Sequence, residues 1–479
     1  MLKLKGLCKS LIGKWSDMSP AAKASIALVV AKFFQKGLAM ISGPIFTRIM
    51  PQSEYGIIST FTSWQSVLYI IATLNMSSGV FNNGMIDFKK DRDSFTFSIM
   101  CLANLCTLIC VGIYAVFYGT INPILDMPMI MVVVMFLYFL VTPAYNYWMA
   151  RERFEYKYKA ITLVIIVSSL ISTALAVVFV VFSDDSNKAV AKVVATEAVA
   201  IAIGLFFVIY TIKKSRAKFK LSYWKYALSI NLPLVPHYLS MYLLSSADRI
   251  MITNLVGTSE TAIYNVAYTV ASIMLIFWSS VDASYAPWVY QKMDTGDTAA
   301  MRKRGNQILL LFGGMSMLCT LFAPEIIRIL APESYYSGIY VVPAVAAGVF
   351  FTACYSLYMR VELFLKKTKA VMIATCVTAA LNLILNYVFI KQFGFIAAGY
   401  TTLVCYVLLA VFHGINLKRL GYAKVYDNKV IAIISVGVIL MSIFVSVLYG
   451  YTIIRYIFIF ALLALMAWKR KEILGIIKR

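Results

Sequence analysis

SGPIFTRIMPQSEYGIIST, residues 42–60, is a corner: an apolar run closes on one arginine, a Pro-Gln-Ser-Glu-Tyr-Gly turn follows, and a second apolar run begins. Some 206 residues later TNLVGTSETAIY (253–264) writes a similar corner. Laid under TRIMPQSEYGII (47–58), it matches at Thr, Ser, Glu and Ile, and Asn254 takes the place of Arg48. A second echo is stronger. YNYWMARERFEYKYKA (145–160) over YSLYMRVELFLKKTKA (355–370) agrees at seven of sixteen positions, at an offset of 210.

The runs on either side of these corners set the solvent. Of 479 residues, 61% are hydrophobic and 14% charged, and the mean hydropathy is +0.81. A water-soluble chain this apolar could not cover itself with polar surface. Apolar stretches of about twenty residues, enough for a hydrocarbon core of about 30 Å, recur along the whole chain. They are continuous rather than alternating, which excludes a β-barrel. The reading is an all-α polytopic membrane protein with fourteen spans.

The net charge of +23 would suggest nucleic acid in a soluble protein, but its placement points elsewhere. With the N-terminus inside, the inner segments hold 35 Lys/Arg and the outer turns 7. That is the positive-inside pattern, with both termini cytoplasmic. It places the chain in the cytoplasmic membrane, with membrane lipid as a partner and no nucleic acid.

The two echoes map corner 1–2 onto corner 7–8 and loop 4–5 onto loop 10–11. Six spans separate the copies, so both halves sit the same way up: a parallel pseudo-twofold repeat. The organisation expected is a cytoplasmic amphipathic segment (1–23) and an N-terminal six-helix bundle (24–212). A basic linker (213–225), a C-terminal six-helix bundle (226–417) and two further spans with a basic tail (418–479) follow. Proline at 143, 233, 236 and 343 predicts kinked or broken spans. Two facing bundles enclose a cavity that opens to alternate sides when they rock, so the repeat predicts a transporter.

FAPEIIRILAPESYYSGIY (322–340), the series from LFLKKTKAVMIATC to FIAAGYTTLVCY (363–406) and GPIFTRIMPQSEYGIIST together resemble the lipid-linked oligosaccharide flippases. These are the Wzx-type polysaccharide transporters of the multidrug/oligosaccharidyl-lipid/polysaccharide exporter superfamily. The resemblance runs from about residue 20 to 415. It implies movement of an undecaprenyl-pyrophosphate-linked oligosaccharide repeat unit to the outer leaflet, for capsule, O-antigen or exopolysaccharide. A polysaccharide polymerase and a chain-length regulator are the further partners such an assembly line would use. The alternatives are a cation-coupled drug or small-molecule exporter of the same superfamily, and a membrane polymerase or glycosyltransferase. The short outer turns argue against an enzyme.

A flippase breaks no covalent bond, so the informative residues are ionisable groups inside the spans. Lys32 and Lys36, spaced i, i+4 on one face of span 1, are candidate cations for a pyrophosphate. Arg48 at the outer corner and Arg249 in span 7 are further substrate candidates. Glu54 is positioned to pair with Arg48. Asp248 and Asp282 are candidates to carry a coupling proton or sodium ion, or to balance Lys36. Glu152 and Glu362 align in the repeat, and with Arg360 they suit a gating salt bridge. Glu325 and Arg328 read as an i, i+3 pair, and Asn382 with Asn386 as interhelical glue. Two histidines, His237 and His413, make no metal site, and no cofactor motif occurs.

Overall fold

The computed structural model describes residues 20–77, 80–155 and 157–468. Most of the 1–23 segment and of the basic tail therefore lies outside the described residues. Among these residues there is no strand. Each of the fourteen apolar stretches is mostly helical over its described residues. Ten helices are long and apolar enough to cross a membrane, or eleven if one pair bent by 62° counts as a single span.

The chain divides into two compact units. One takes the chain up to Glu54 together with Gln65–Tyr238, and the other takes Tyr55–Trp64 together with the chain from Leu239 on.

The first unit carries α1 (Pro20–Ile49), most of α2 (Gln52–Thr73), α3 (Val80–Asp87), α4 (Arg92–Val116), α5 (Tyr118–Leu125), α6 (Met129–Phe154), α7 (Lys159–Val181), α8 (Lys188–Ser215) and α9 (Leu221–Asn231). Ala31 of α1 is buried against Ile161 and Ile165 of α7. Gly204 lets α8 approach α6 closely, since a Cβ there would lie 2.6 Å from Val141 Cγ2. Pro143 sits within an unbroken α6. The basic linker is partly ordered into α9, which is tied to the α3–α4 turn. Tyr226 donates to Asp87 at 2.5 Å, Tyr223 to Asp91 at 2.6 Å and Trp224 Nε1 to the Ser98 carbonyl at 2.6 Å.

The second unit carries most of α10 (Val235–Leu255), then α11 (Thr258–Asp294), α12 (Thr298–Leu321), α13 (Ala323–Leu330), α14 (Val342–Phe364), α15 (Thr368–Phe393), α16 (Ile396–Arg419), α17 (Asn428–Val447) and α18 (Thr452–Trp468). Its centre is α14, 89% of whose apolar window is buried. The run VPAVAAGV explains this, because small residues let α11, α12, α16 and α17 all pack against one helix. Residues 55–64 of α2 join this unit. A Cβ on Gly56 would lie 1.7 Å from the Thr258 carbonyl oxygen, and the hydroxyls of Thr60 and Thr253 meet at 2.5 Å.

Proline acts as expected at one of the predicted places and differently at another. A short 3₁₀ segment, Leu232–Leu234, breaks span 7 beside Pro233. Pro343 instead lies in the first turn of α14, where its missing N–H costs no helical hydrogen bond. The second unit also absorbs the last two spans, α17 and α18. Tyr449 donates to the Thr320 carbonyl at 2.9 Å, and Arg455 to the Leu321 carbonyl at 2.7 Å.

Candidate functional site

α1 places Lys32 and Lys36 near the middle of a 30-residue helix. Both side chains are exposed, and neither has a hydrogen-bond or ion-pair partner among the described residues. A lysine at membrane depth without a carboxylate needs water or an anionic ligand, since its stem reaches only part of the way to the interface.

The opening corner is bound differently from the expectation. Arg48 Nη1 donates to the Pro44 carbonyl at 2.9 Å, so it serves the last turn of its own helix. Glu54 is not its partner. The Glu54 carboxylate accepts from the Ala189 N–H at 2.8 Å and so holds the first turn of α8, where a helix N-terminus favours an anion. Lys188 completes the arrangement by donating to the Ile49 carbonyl at 2.6 Å.

In the second unit, Asp248 is 0% exposed and is the hub of a polar cluster drawn from four helices. Its carboxylate accepts from Tyr264 (2.6 Å), Asn386 Nδ2 (2.7 Å) and Thr402 (3.0 Å). Asn382 donates to Thr402 at 3.0 Å, and Thr401 donates to Asn386 Oδ1. Asn382 and Asn386, one turn apart, thus join α15 to α10 and α16. The cluster offers one carboxylate, two amide oxygens and three hydroxyls within a dry interior. That is a hard-oxygen set suited to a proton or an alkali cation. Arg249, the next residue, turns away. Its Nε donates to Asn265 Oδ1 at 2.8 Å, Nη1 donates to the Ser245 carbonyl at 3.0 Å, and the guanidinium lies 4.2 Å from the Tyr268 ring centroid.

The other charges pair in combinations that spacing alone did not show. Asp282 of α11 forms a two-point pair with Arg360 of α14, with Nε to Oδ1 at 3.0 Å. Glu362 is therefore not the partner of Arg360. It is 0% exposed, contacts His413 Nδ1 at 2.7 Å and accepts from Asn416 Nδ2 at 2.9 Å. Its repeat counterpart Glu152 is half-buried, and its side chain has no hydrogen bond among the described residues. Glu325 and Arg328 do not pair either. Arg455, 3% exposed, takes Glu325 at 2.5 and 2.6 Å, while Arg328 reaches Tyr336. A buried arginine needs a carboxylate more than an exposed one does.

Two groups escaped the sequence reading. Glu197, buried in α8, accepts from Gln65 Nε2 at 3.0 Å. It is a lone acid in VVATEAVAIAIG, the very signal of a costly intramembrane charge. His413 lay in plain view as one of two histidines, but its partner Glu362 is 51 residues away.

This architecture has solved counterparts. Over 93% of this chain and 99% of the other, it superposes with a TM-score of 0.66 and 14% identity on the lipid II flippase MurJ in an inward closed conformation. A multidrug resistance MATE family transporter superposes in its inward-facing and outward-facing conformations with a TM-score of 0.55 each and 14% identity. The matches cover 84% and 86% of this chain and 98% of the transporter. Identities this low carry the fold alone. In sequence, the profile of the polysaccharide biosynthesis protein family matches residues 21–292, and that of the MatE family matches 233–388. The chain belongs to the polysaccharide biosynthesis protein family and shares its fold with MurJ and the MATE proteins. It is a multi-pass membrane protein. An uncharacterised membrane protein of Methanocaldococcus jannaschii is 25% identical over 206 residues, 42% of this chain. The match spans 41% of that relative's length.

Proposed function

We propose that the chain is a flippase of the cytoplasmic membrane. It moves an undecaprenyl-pyrophosphate-linked oligosaccharide repeat unit from the inner to the outer leaflet by alternating access, for a surface polysaccharide. The observation that carries this reading is the Lys32–Lys36 pair. Two exposed cations without partners among the described residues stand in the middle of a membrane helix, and a diphosphate is the anion a flipped sugar-lipid presents there. Membership of the polysaccharide biosynthesis family and the flippase fold support it. In this reading all fourteen helical stretches span, both termini are cytoplasmic, and the repeat divides the chain at the basic linker. The chemistry needs no enzyme and no cofactor, and a polymerase with its chain-length regulator would take the product. Arg48 and Arg249 are secondary anion contacts, since each is already committed to protein acceptors.

The Asp248 cluster is the binding site for a coupling proton or sodium ion. The MatE match covers this cluster's Asp248, Tyr264, Asn382 and Asn386, which favours the small-molecule exporter as the second reading.

The test is Lys36→Gln, scored by lipid-linked repeat unit in each leaflet and by polymer at the surface. Loss of surface polymer with repeat unit accumulating in the inner leaflet, at normal protein level, is the expected result. Unchanged export removes Lys36 from the path.

A further inference from the structure

Glu362 and His413 are both 0% exposed, in the tightest packing of the second unit, between α14 and α16. With the imidazole neutral and its Nδ1–H donated to the carboxylate, the pair carries one negative charge in an apolar interior, where an uncompensated charge is costly. His413 Nε2 is buried and has no hydrogen-bond partner among the described residues. A proton added at the Nε2 lone pair makes the pair neutral, while Asn416 goes on donating to the other carboxylate oxygen. Nothing is oxidised and no covalent skeleton changes.

The charges around the pair do not supply that neutrality. On α14, Arg360 is taken by Asp282 of α11. Tyr285 of α11 and Tyr426 of the α16–α17 connection bond each other at 2.9 Å. Asp427 caps α17 through the Val430 N–H, and Tyr358 is spent on Asn428. Lys366, Lys367 and Lys369 at the α14–α15 turn, and Lys418 and Arg419 in the last turn of α16, are exposed. These cations also mark this end of both helices as cytoplasmic.

A strip of polar residues leads away from the pair toward the opposite end. Along one face of α16 lie Asn416, His413, Tyr406 and Thr402, and along α14 lie Glu362, Tyr355 and Thr352. The Tyr355 ring stacks on His413 at 6.0 Å and on Tyr406 at 6.2 Å. Beyond Tyr406 a cavity of about 20 Å³ has Tyr268, Thr352, Thr402 and Tyr406 within a mostly apolar lining. That is room for about one water. Thr402 in turn donates to Asp248. From His413 to Thr402 the strip covers about 16 Å of helix.

We propose that Glu362 and His413 form a proton-binding site of the second unit, and that the strip between α14 and α16 joins it to Asp248. The site takes a proton rather than a metal. An imidazole nitrogen is a poor alkali-ion ligand, and one carboxylate, one imidazole and one amide fall short of a transition-metal set. The proposal rests on the transporter reading for its use, but not on the identity of the cargo.

The chain has two histidines, so ¹⁵N-histidine NMR of the purified full chain gives two imidazole spin systems, assigned with His237→Gln. The expected result is a His413 that binds a proton between pH 5 and 9 and whose protonation state changes in Glu362→Gln. A His413 that is neutral from pH 5 to 9, or whose state ignores Glu362→Gln, overturns the site. In proteoliposomes, transport by the wild type should respond to an imposed pH gradient by up to about tenfold per unit, the ceiling for one proton per turnover. His413→Gln and Glu362→Gln should lose that response. A response kept by both variants overturns the coupling role. A wild type that moves no lipid-linked sugar refutes the flippase reading instead, and the NMR result stands apart from it.

Discussion

Asp248→Ala and Asp248→Asn separate the packing role of the polar cluster from its ion-binding role. Three donors end on this carboxylate: Tyr264 OH, Asn386 Nδ2 and Thr402 OH, at 2.6, 2.7 and 3.0 Å. All four residues are buried, three of them at 0% exposure. Alanine strands all three donors. Orphaned buried groups cost about 1–3 kcal/mol each in soluble proteins. Interhelical hydrogen bonds in membranes average only about 0.6 kcal/mol each, because the unfolded reference also finds partners. The two scales bracket the alanine variant between about 2 and 9 kcal/mol, and full burial of the group places it at about 4. Asparagine keeps the shape and one acceptor oxygen, which two of the donors can share, so its cost is about 1–2 kcal/mol. The assay is thermal denaturation in detergent, followed by size-exclusion of the survivors. The alanine variant should lose at least twice the stability that the asparagine variant loses. Equal losses would mean that the donors do not depend on this carboxylate, and the geometry of the cluster would be refuted. In proteoliposomes Asp248→Asn should stay folded yet ignore an imposed ion gradient; full coupling would remove Asp248 from the ion path.

Asp91 gives a pH prediction outside the membrane. The Lys220 hydrogen bond, with Ser94 and Tyr223 adding to it, lowers its pKa from 3.8 to about 2. A depressed carboxylate adds stability that is fully present above pH 3.8 and is lost as pH falls through about 2. Its side chain is 32% exposed, so screening cuts the contribution to about 1 kcal/mol. Asp91→Asn should therefore melt below wild type at pH 6 and match it near pH 2. Glu325→Gln should cost about 2 kcal/mol, because it removes the negative charge opposite the buried Arg455 and leaves one side-chain acceptor oxygen in place of two. In a double-mutant cycle of thermal stabilities, adding Arg455→Gln should recover most of that loss, since a buried pair costs most when only one partner goes.

What the sequence shows and what it hides divide along a physical line. Hydropathy reports burial in lipid, so every apolar stretch proved helical. It does not report packing between helices. α2 and α10 fall short of a spanning helix by composition because their polar residues, Thr60, Thr253 and Asp248 among them, are spent on neighbours. The pairing of charges was harder to read. Arg48 and Glu54 lie six positions apart, and Glu325 and Arg328 three. In both cases the partner came from a distant helix: Ala189 for Glu54 and Arg455 for Glu325. Local spacing names the neighbours a charge could have, but burial decides which one it takes. Glu152 and Glu362 make the same point from the repeat. Matched positions carry the same residue, yet only Glu362 found a histidine opposite, because α16 supplies His413 there.

On the proposed reading, duplication supplied the same scaffold twice and lets the two units take different tasks, but a charge in a membrane persists only where something offsets its cost. In the second unit Asp248 and Glu362 are offset inside the protein, each by hydrogen bonds from neighbouring helices. On the proposed reading those groups gain or lose a proton or a cation without help from the cargo. In the first unit Lys32 and Lys36 have no such offset among the described residues, so their compensation has to arrive from outside as water or an anion. On the proposed reading this is a division of labour: the first unit waits for a charged cargo, and the second stores the ion whose gradient resets the cycle. Exchanging those roles would require moving the compensating groups as well as the charges. A lone Asn254→Arg, restoring the cation of the first corner to the second, would therefore not by itself create a second cargo site.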